Sequence, residues 1–272
     1  MKKNKLSGPM SAFAAAGLLV MPSAQAALIG HWAFEEGTGI TSADSSGLGN
    51  TASFAGGVTW GSSGPSGNFA VLDGASGSVI NPGVTLPAMS STNNFTWAVW
   101  ANTAVDPRNA NGSNNSQTNS VILGNRRDGA NNDLPSTANR QFIKFTPTNF
   151  EWHQNANGND NQAYADLVVG EWTHLAVVKT GTSIQLYQNG AAIGGPATLT
   201  EDLSTAVAMP LFIGGDVGNS SVNEAFNGFI DDVRIYDNAL SLGEVQVLAG
   251  VPEPSSLLLG ALGFGMMLRR KR

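Results

Sequence analysis

Phe95, Trp97 and Val99 occupy every second position of one apolar run, and Ile184, Leu186 and Gln188 share a face opposite Gln185 and Tyr187 in another. A period of two puts alternate side chains on opposite faces of an extended strand, so these runs predict sheets with one packed face. Between Tyr187 and Ile193 stands Asn189-Gly190, a dipeptide that accepts positive φ at both turn positions and so closes a tight hairpin. No helical period is sustained before about residue 241. These features confine the chain to an all-β fold.

Further candidate strands are Leu28 to Phe34, Asn68 to Leu72, Ser120 to Gly124, Gln141 to Thr146, Phe150 to Gln154, Trp172 to Lys179, Leu211 to Gly214 and Phe226 to Tyr236. Asn102 to Asn139 is too rich in Asn and Gly to bury much apart from Val121-Ile122-Leu123, and predicts a pair of long surface loops. A second Asn-rich loop is expected from Asn155 to Asn161. Ser241-Leu242-Gly243-Glu244 is a capping box, which starts a short closing helix that presents Val245 and Leu248.

The two ends read differently. Lys2, Lys3 and Lys5 precede a mostly apolar run from Met10 to Met21, and Ala24-Gln25-Ala26 follows. That order is a secretory signal peptide, cleaved after Ala26, with Ala24 and Ala26 as the small residues of the site. At the other end, Pro252-Glu253-Pro254 leads into the apolar stretch Leu257 to Leu268 and the cluster Arg269-Arg270-Lys271-Arg272. The prolines bar a helix from running back into the preceding chain. The apolar stretch is shorter than the ~20 residues of an ordinary spanning helix, and its basic end belongs on the cytoplasmic side.

This tail, residues 251–272, closely resembles the PEP-CTERM sorting signal of exported bacterial proteins. The resemblance implies that a membrane-embedded exosortase recognises Pro252, Glu253 and Pro254 and removes the tail. The protein would then cross the inner membrane, be anchored transiently, and reach the cell surface or extracellular matrix. A permanent weak anchor is the alternative.

Setting both ends aside changes the charge. The full chain carries 14 basic and 20 acidic residues, net −6, whereas residues 27–250 keep 7 basic and 19 acidic ones, net −12. A domain that acidic is a poor partner for nucleic acid, whose binding relies on clustered Lys and Arg. Without cysteine, neither disulfides nor thiolate sites nor a cysteine nucleophile exist. The 224 residues from 27 to 250 suit one sandwich domain.

Four blocks of that domain resemble the laminin-G-like, concanavalin A-like jelly-roll modules of secreted bacterial proteins. They are Leu28 to Gly37 with Asp44 to Asn50, Phe95 to Trp100, Glu171 to Val177 running on to Gly190, and Phe226 to Tyr236 with Glu244 behind it. The resemblance implies two packed antiparallel sheets and, in many members, one structural Ca2+ where the first loop meets the last strand. Asp44, Asn50 and Asp231 are the candidate ligands, since Ca2+ takes six to eight oxygens of mixed kind. The competing reading is that Asp44 builds an Asx turn and Asp231 pairs with Arg234.

Catalytic signatures are missing. The three histidines, His31, His153 and His174, have no zinc spacing. The Glu-x-Asp-x-x-Glu strand of family 16 glycoside hydrolases does not occur, and neither Glu35-Glu36 nor Asp231-Asp232, with side chains expected on opposite faces, is placed to flank a glycosidic bond. A non-catalytic module that contacts polysaccharide or surface protein is the leading reading. A carbohydrate-active enzyme with an unrecognised site and a purely structural matrix protein are the others. For glycan stacking, Trp60 and Trp152 beside polar loops are the candidates, against burial of each in the core.

Overall fold

The computed structural model describes residues 27–75, 77–86, 94–106, 120–125, 140–145, 150–155, 161–199, 209–215 and 225–251. The expected signal peptide, most of the two Asn-rich stretches expected to form loops, and the expected sorting tail lie outside them.

Among the described residues seventeen strands and one helix follow in order. They begin with β1 (Leu28–Trp32), β2 (Thr41–Ser42), β3 (Ala52–Ala55), β4 (Thr59–Ser62), β5 (Asn68–Asp73) and β6 (Val79–Asn81). Next come β7 (Thr85–Leu86), β8 (Phe95–Thr103), β9 (Ser120–Asn125), β10 (Arg140–Phe145), β11 (Phe150–Asn155) and β12 (Gln162–Ala163). The series ends with β13 (Thr173–Thr180), β14 (Ser183–Gln188), β15 (Ala191–Thr198), β16 (Met209–Ile213), β17 (Asn227–Tyr236) and α1 (Leu242–Leu248).

Antiparallel pairing builds two sheets. The first runs β15-β14-β13-β8-β17-β5-β4, with β1 also on β17, and the second runs β12-β11-β10-β9-β16-β6-β3-β2, with β7 on β16. This is the two-sheet sandwich expected from the sequence. Strands distant along the chain lie side by side, so β17 is flanked by β8, β5 and β1.

The inner faces meet in one core that contains Trp32, Trp97, Trp152, Phe34, Phe145 and Phe150, all essentially without solvent exposure. Rings pack edge to face there, as Trp97 and Trp152 do at 5.3 Å between centroids. The hairpin expected at Asn189-Gly190 forms, with φ of 50° and 75° and Gln188 paired to Ala191. Asn189 adds a second hold, because its Oδ1 accepts a hydrogen bond from the His174 amide at 2.9 Å.

One expectation about the sheets needs correction. The central strands β8 and β13 are buried on both faces, because α1 lies across the outside of the first sheet. Val245 and Leu240 pack there on Ala98, Ala176 and Val178, with Leu248 at the margin. The capping box starts this helix as predicted: Ser241 Oγ accepts from the Glu244 amide, and a Glu244 carboxylate oxygen accepts from the Ser241 amide at 2.7 Å.

A seven-residue helix has little intrinsic stability and depends on its cap and its docked face. Ser241→Ala is therefore expected to lower the unfolding free energy by about 1 kcal/mol, read as a lower denaturant midpoint at unchanged slope. No change in midpoint would show that the cap carries no stability.

Candidate functional site

In β17 the pairing with β8 slips: Asp231 lies opposite Trp100, but Arg234 lies opposite Ala98. Three steps on one strand answer two on the other, which is a β-bulge, and Asp232 takes φ of 48° to make it. Ile230 and Val233 point into the core on either side of the extra residue. Asp231 and Asp232 are thereby both turned to the outer side, which corrects the expectation that they face opposite ways. Ser66, the partner of Asp231, and Asp232 itself line the same cavity.

Asp232 is the hub of this outer face. Its Oδ1 accepts from His31 Nε2 at 2.7 Å and from Arg234 Nε at 2.9 Å. A carboxylate only accepts, so the Nε2 nitrogen of His31 carries the proton. Burial pushes the Asp232 carboxyl upward, but the His31 hydrogen bond and the Arg234 charge outweigh it and hold the carboxyl below its ordinary range. Arg234 is thus paired with Asp232 and not, as one sequence reading had it, with Asp231.

Asp231 sits in the opposite electrostatic situation. It is fully buried, and one oxygen accepts from the Ser66 amide at 3.1 Å and the Ser66 hydroxyl at 2.8 Å. The other, Oδ1, has no hydrogen-bond partner. Burial pushes its pKa up to about 6, and the charges of Asp232 and Glu35 add to the rise.

Asp44 closes the first loop. Its Oδ1 accepts from the His31 amide at 3.0 Å and the Ser46 amide at 2.9 Å, and its Oδ2 accepts from the Asn50 amide at 3.0 Å. Burial opposes ionisation, yet hydrogen bonding from the Ser46 side chain, together with the Ser46, Asn50 and His31 amides, wins and lowers its pKa. Asn50 gives its carbonyl to Trp32 Nε1 at 2.7 Å and its side-chain amide to the Ile29 carbonyl at 3.3 Å. The first loop does meet the last strand, but through His31, whose amide binds Asp44 and whose ring binds Asp232.

For a structural Ca2+ these residues fit unequally. Asp44 spends both carboxylate oxygens and Asn50 its backbone carbonyl on local hydrogen bonds, no hydrogen bond joins either residue to Asp231, and among the described residues no group of three or more His, Cys, Asp or Glu is arranged to hold a metal. Asp231, with a buried and unpartnered carboxylate oxygen, is the part of the set with the chemistry an ion needs.

The two tryptophans proposed for stacking lie elsewhere. Trp152 is completely buried against Phe95 and Trp97, so its ring offers no face to a ligand, which corrects that expectation. Trp60 is half-buried on the edge strand β4, tilted against Phe54 at 4.8 Å, with its Nε1 donating to the Gly39 carbonyl. Trp100 lies on the outer face, beside His174 at 5.3 Å, and lines a cavity there. Its place on the solvent-facing phase of the Phe95-Trp97-Val99 alternation was the signal available in the sequence. His174 itself is a buried neutral ring, with burial lowering its pKa to about 4.

Pro65, Ser66, Trp100, Asp232, Arg234, the last α1 residues Val247 and Leu248, and Gly250 just beyond the helix line an open cavity of about 220 Å3. It combines an aromatic ring with a hydroxyl, a carboxylate and a guanidinium. Glu35 and Glu36 hold local backbone, accepting from the Asn68 amide at 3.0 Å and the Ala43 amide at 2.6 Å respectively.

With this geometry the family follows from comparison. A profile of the concanavalin A-like lectin/glucanases superfamily matches residues 73–246, and the PEP-CTERM protein-sorting motif matches residues 250–272. The chain belongs to the concanavalin A-like lectin/glucanase superfamily. Domain 4 of AbnA, an extracellular GH43 arabinanase from Geobacillus stearothermophilus solved with arabinotriose, is similar over 82% of this chain and 98% of its own, at TM-score 0.58 and 20% identity. The binding domain of Paraclostridial Mosquitocidal Protein 1 matches with TM-score 0.55 and 14% identity over 82% of this chain and 51% of its own. A Trypanosoma rangeli sialidase matches at TM-score 0.55 and 13% identity over 82% of this chain and 33% of its own. Identities this low show a shared fold. No curated protein matches the chain. Among the described residues no helix is long and apolar enough to cross a membrane.

The buried charge of Asp231 has a measurable consequence. A raised folded pKa means that Asp231 stabilises the fold fully below its unfolded value of 3.8, and that this is lost as pH rises through about 6. Asp231→Asn keeps an acceptor for the Ser66 donors and removes the charge. With metal chelated, the variant is expected to melt above wild type at about pH 7.5, and the gap to close near about pH 4. An equal or lower melting temperature at the higher pH would contradict a penalised carboxylate.

Proposed function

We propose that the protein is an exported, non-catalytic binding module of the cell surface or extracellular matrix, that it contacts glycan, and that exosortase processing of its tail delivers it there. The observation that carries this reading is the cavity on the outer face of the first sheet, where the Trp100 ring stands beside Ser66, Asp232 and Arg234. A flat aromatic covers the apolar face of a sugar ring while hydroxyl, carboxylate and guanidinium groups take its hydroxyls. The arabinotriose complex of the similar AbnA domain supports glycan as the ligand, and the binding domain of Paraclostridial Mosquitocidal Protein 1 supports a role in binding. The sorting motif at 250–272 supports export and handling at the membrane.

In this reading residues 1–26 are the cleaved signal peptide, 27–250 the binding domain and 251–272 the sorting tail. A structural Ca2+, held through Asp231, belongs to the proposal as an aid to stability. It would neutralise a buried carboxylate whose neighbours Asp232 and Glu35 are also acidic.

A glycan array probed with the secreted protein tests the function. Binding to at least one polysaccharide is expected, weakened about tenfold by Trp100→Ala, the scale of one aromatic stacking contact. Release of shortened sugar products would point instead to a carbohydrate-active enzyme, and silence on every glycan to a purely structural protein. For the ion, Ca2+ added to chelator-treated protein is expected to raise the melting temperature of wild type and not of Asp231→Asn. No shift in wild type removes Ca2+ from the account.

A further inference from the structure

Arg234 is held unusually well for a side chain that lines an open cavity. Its Nε donates to Asp232 at 2.9 Å, and Asp232 is itself fixed by His31 at 2.7 Å. Among the described residues this is the one partner of the guanidinium, so both Nη groups are open to a ligand. A guanidinium presents its donors in a rigid planar fork, which matches the two oxygens of a carboxylate, and a fork already oriented loses little entropy when it binds.

The rest of the cavity narrows the ligand to a sugar. Trp100 contributes an aromatic ring to the lining and Val247 and Leu248 apolar side chains, and Ser66, whose hydroxyl donates to Asp231, lines it too. The volume of about 220 Å3 is smaller than the ~300–1,000 Å3 of pockets for drug-sized ligands, which suits one sugar ring.

We propose that this cavity is a subsite for one uronic acid residue of a polysaccharide, with the sugar carboxylate on the open Nη edge of Arg234 and the ring against Trp100. The inference rests on the glycan-binding reading above and names its ligand class. The net charge of −12 on residues 27–250 does not oppose it decisively. Charges farther than ~8 Å are largely screened at physiological ionic strength, and the near one, Asp232, already shares its negative charge with His31 and Arg234, so the repulsion that the Arg234 contact must outweigh comes from the Asp231 and Glu35 side. The same acidity makes this one guanidinium the feature that separates an acidic sugar from a neutral one.

Calorimetry on the secreted protein, with trigalacturonate and its carboxyl-reduced neutral counterpart as probes, tests this. Wild type is expected to bind trigalacturonate at least about tenfold more tightly than the neutral sugar, and Arg234→Lys, which keeps the charge but loses the fork, to lose most of that preference. A melting curve confirms that the variant is folded. If it is not, competition of methyl galacturonate against methyl galactoside on wild type reads the same preference without any substitution. Equal binding of the two sugars, or a preference that survives in folded Arg234→Lys, overturns the uronate subsite and leaves the glycan-binding module standing. Failure to bind either probe while the array finds another polysaccharide overturns the subsite alone, and failure of both probes and the array overturns both readings.

Discussion

One extra residue in β17 determines the outer face of this protein. Had the alternation continued from Ile230, Asp232 would point into the core, where an unpaired carboxylate costs several kcal/mol. The bulge lets Val233 take that inward place and turns Asp232 out to His31 and Arg234. Its cost is a non-glycine residue in the left-handed region, φ of 48° at Asp232. Such a conformation persists only where the surroundings over-determine it, and here β1, β8 and two charge-assisted hydrogen bonds do so.

The same strand ties the ends of the domain together. His31 of β1 pairs with Arg234 across the ladder and holds Asp44 of the first loop through its amide. The first loop, the first strand and the last strand are therefore one hydrogen-bonded unit. On the neighbouring stretch of the sheet α1 covers Ala98, Ala176 and Val178, and the strip between the bulge and the end of α1 remains open. The cavity is what this incomplete cover leaves.

Much of the fold was legible because it is written in side-chain alternation. Phe95 to Ala101, Ser183 to Gln188 and the Asn189-Gly190 turn carry their structure locally, as does the Ser241 and Glu244 cap. Strands such as Ala191–Thr198, with two glycines, a proline and mostly exposed positions, were not legible, since pairing at a sheet edge and not residue preference makes them. The site was harder still. Asp44 and Asp231 were singled out from their loop and strand, but the bulge that separates the roles of Asp231 and Asp232 depends on register against β8, which no local pattern encodes. Trp152 looked accessible beside an Asn-rich segment, yet it lies on the inward phase of β11.

A domain of this kind offers two broad sheet faces, and the account places recognition on the outer face of the first sheet at the bulge. Mapping of amide and indole chemical shifts during titration with a bound glycan tests that most directly. The account predicts shifts confined to the Trp100 indole, the Ser66 loop, Asp232 to Arg234 and the end of α1. Shifts clustered on the second sheet, with these signals unmoved, would contradict it.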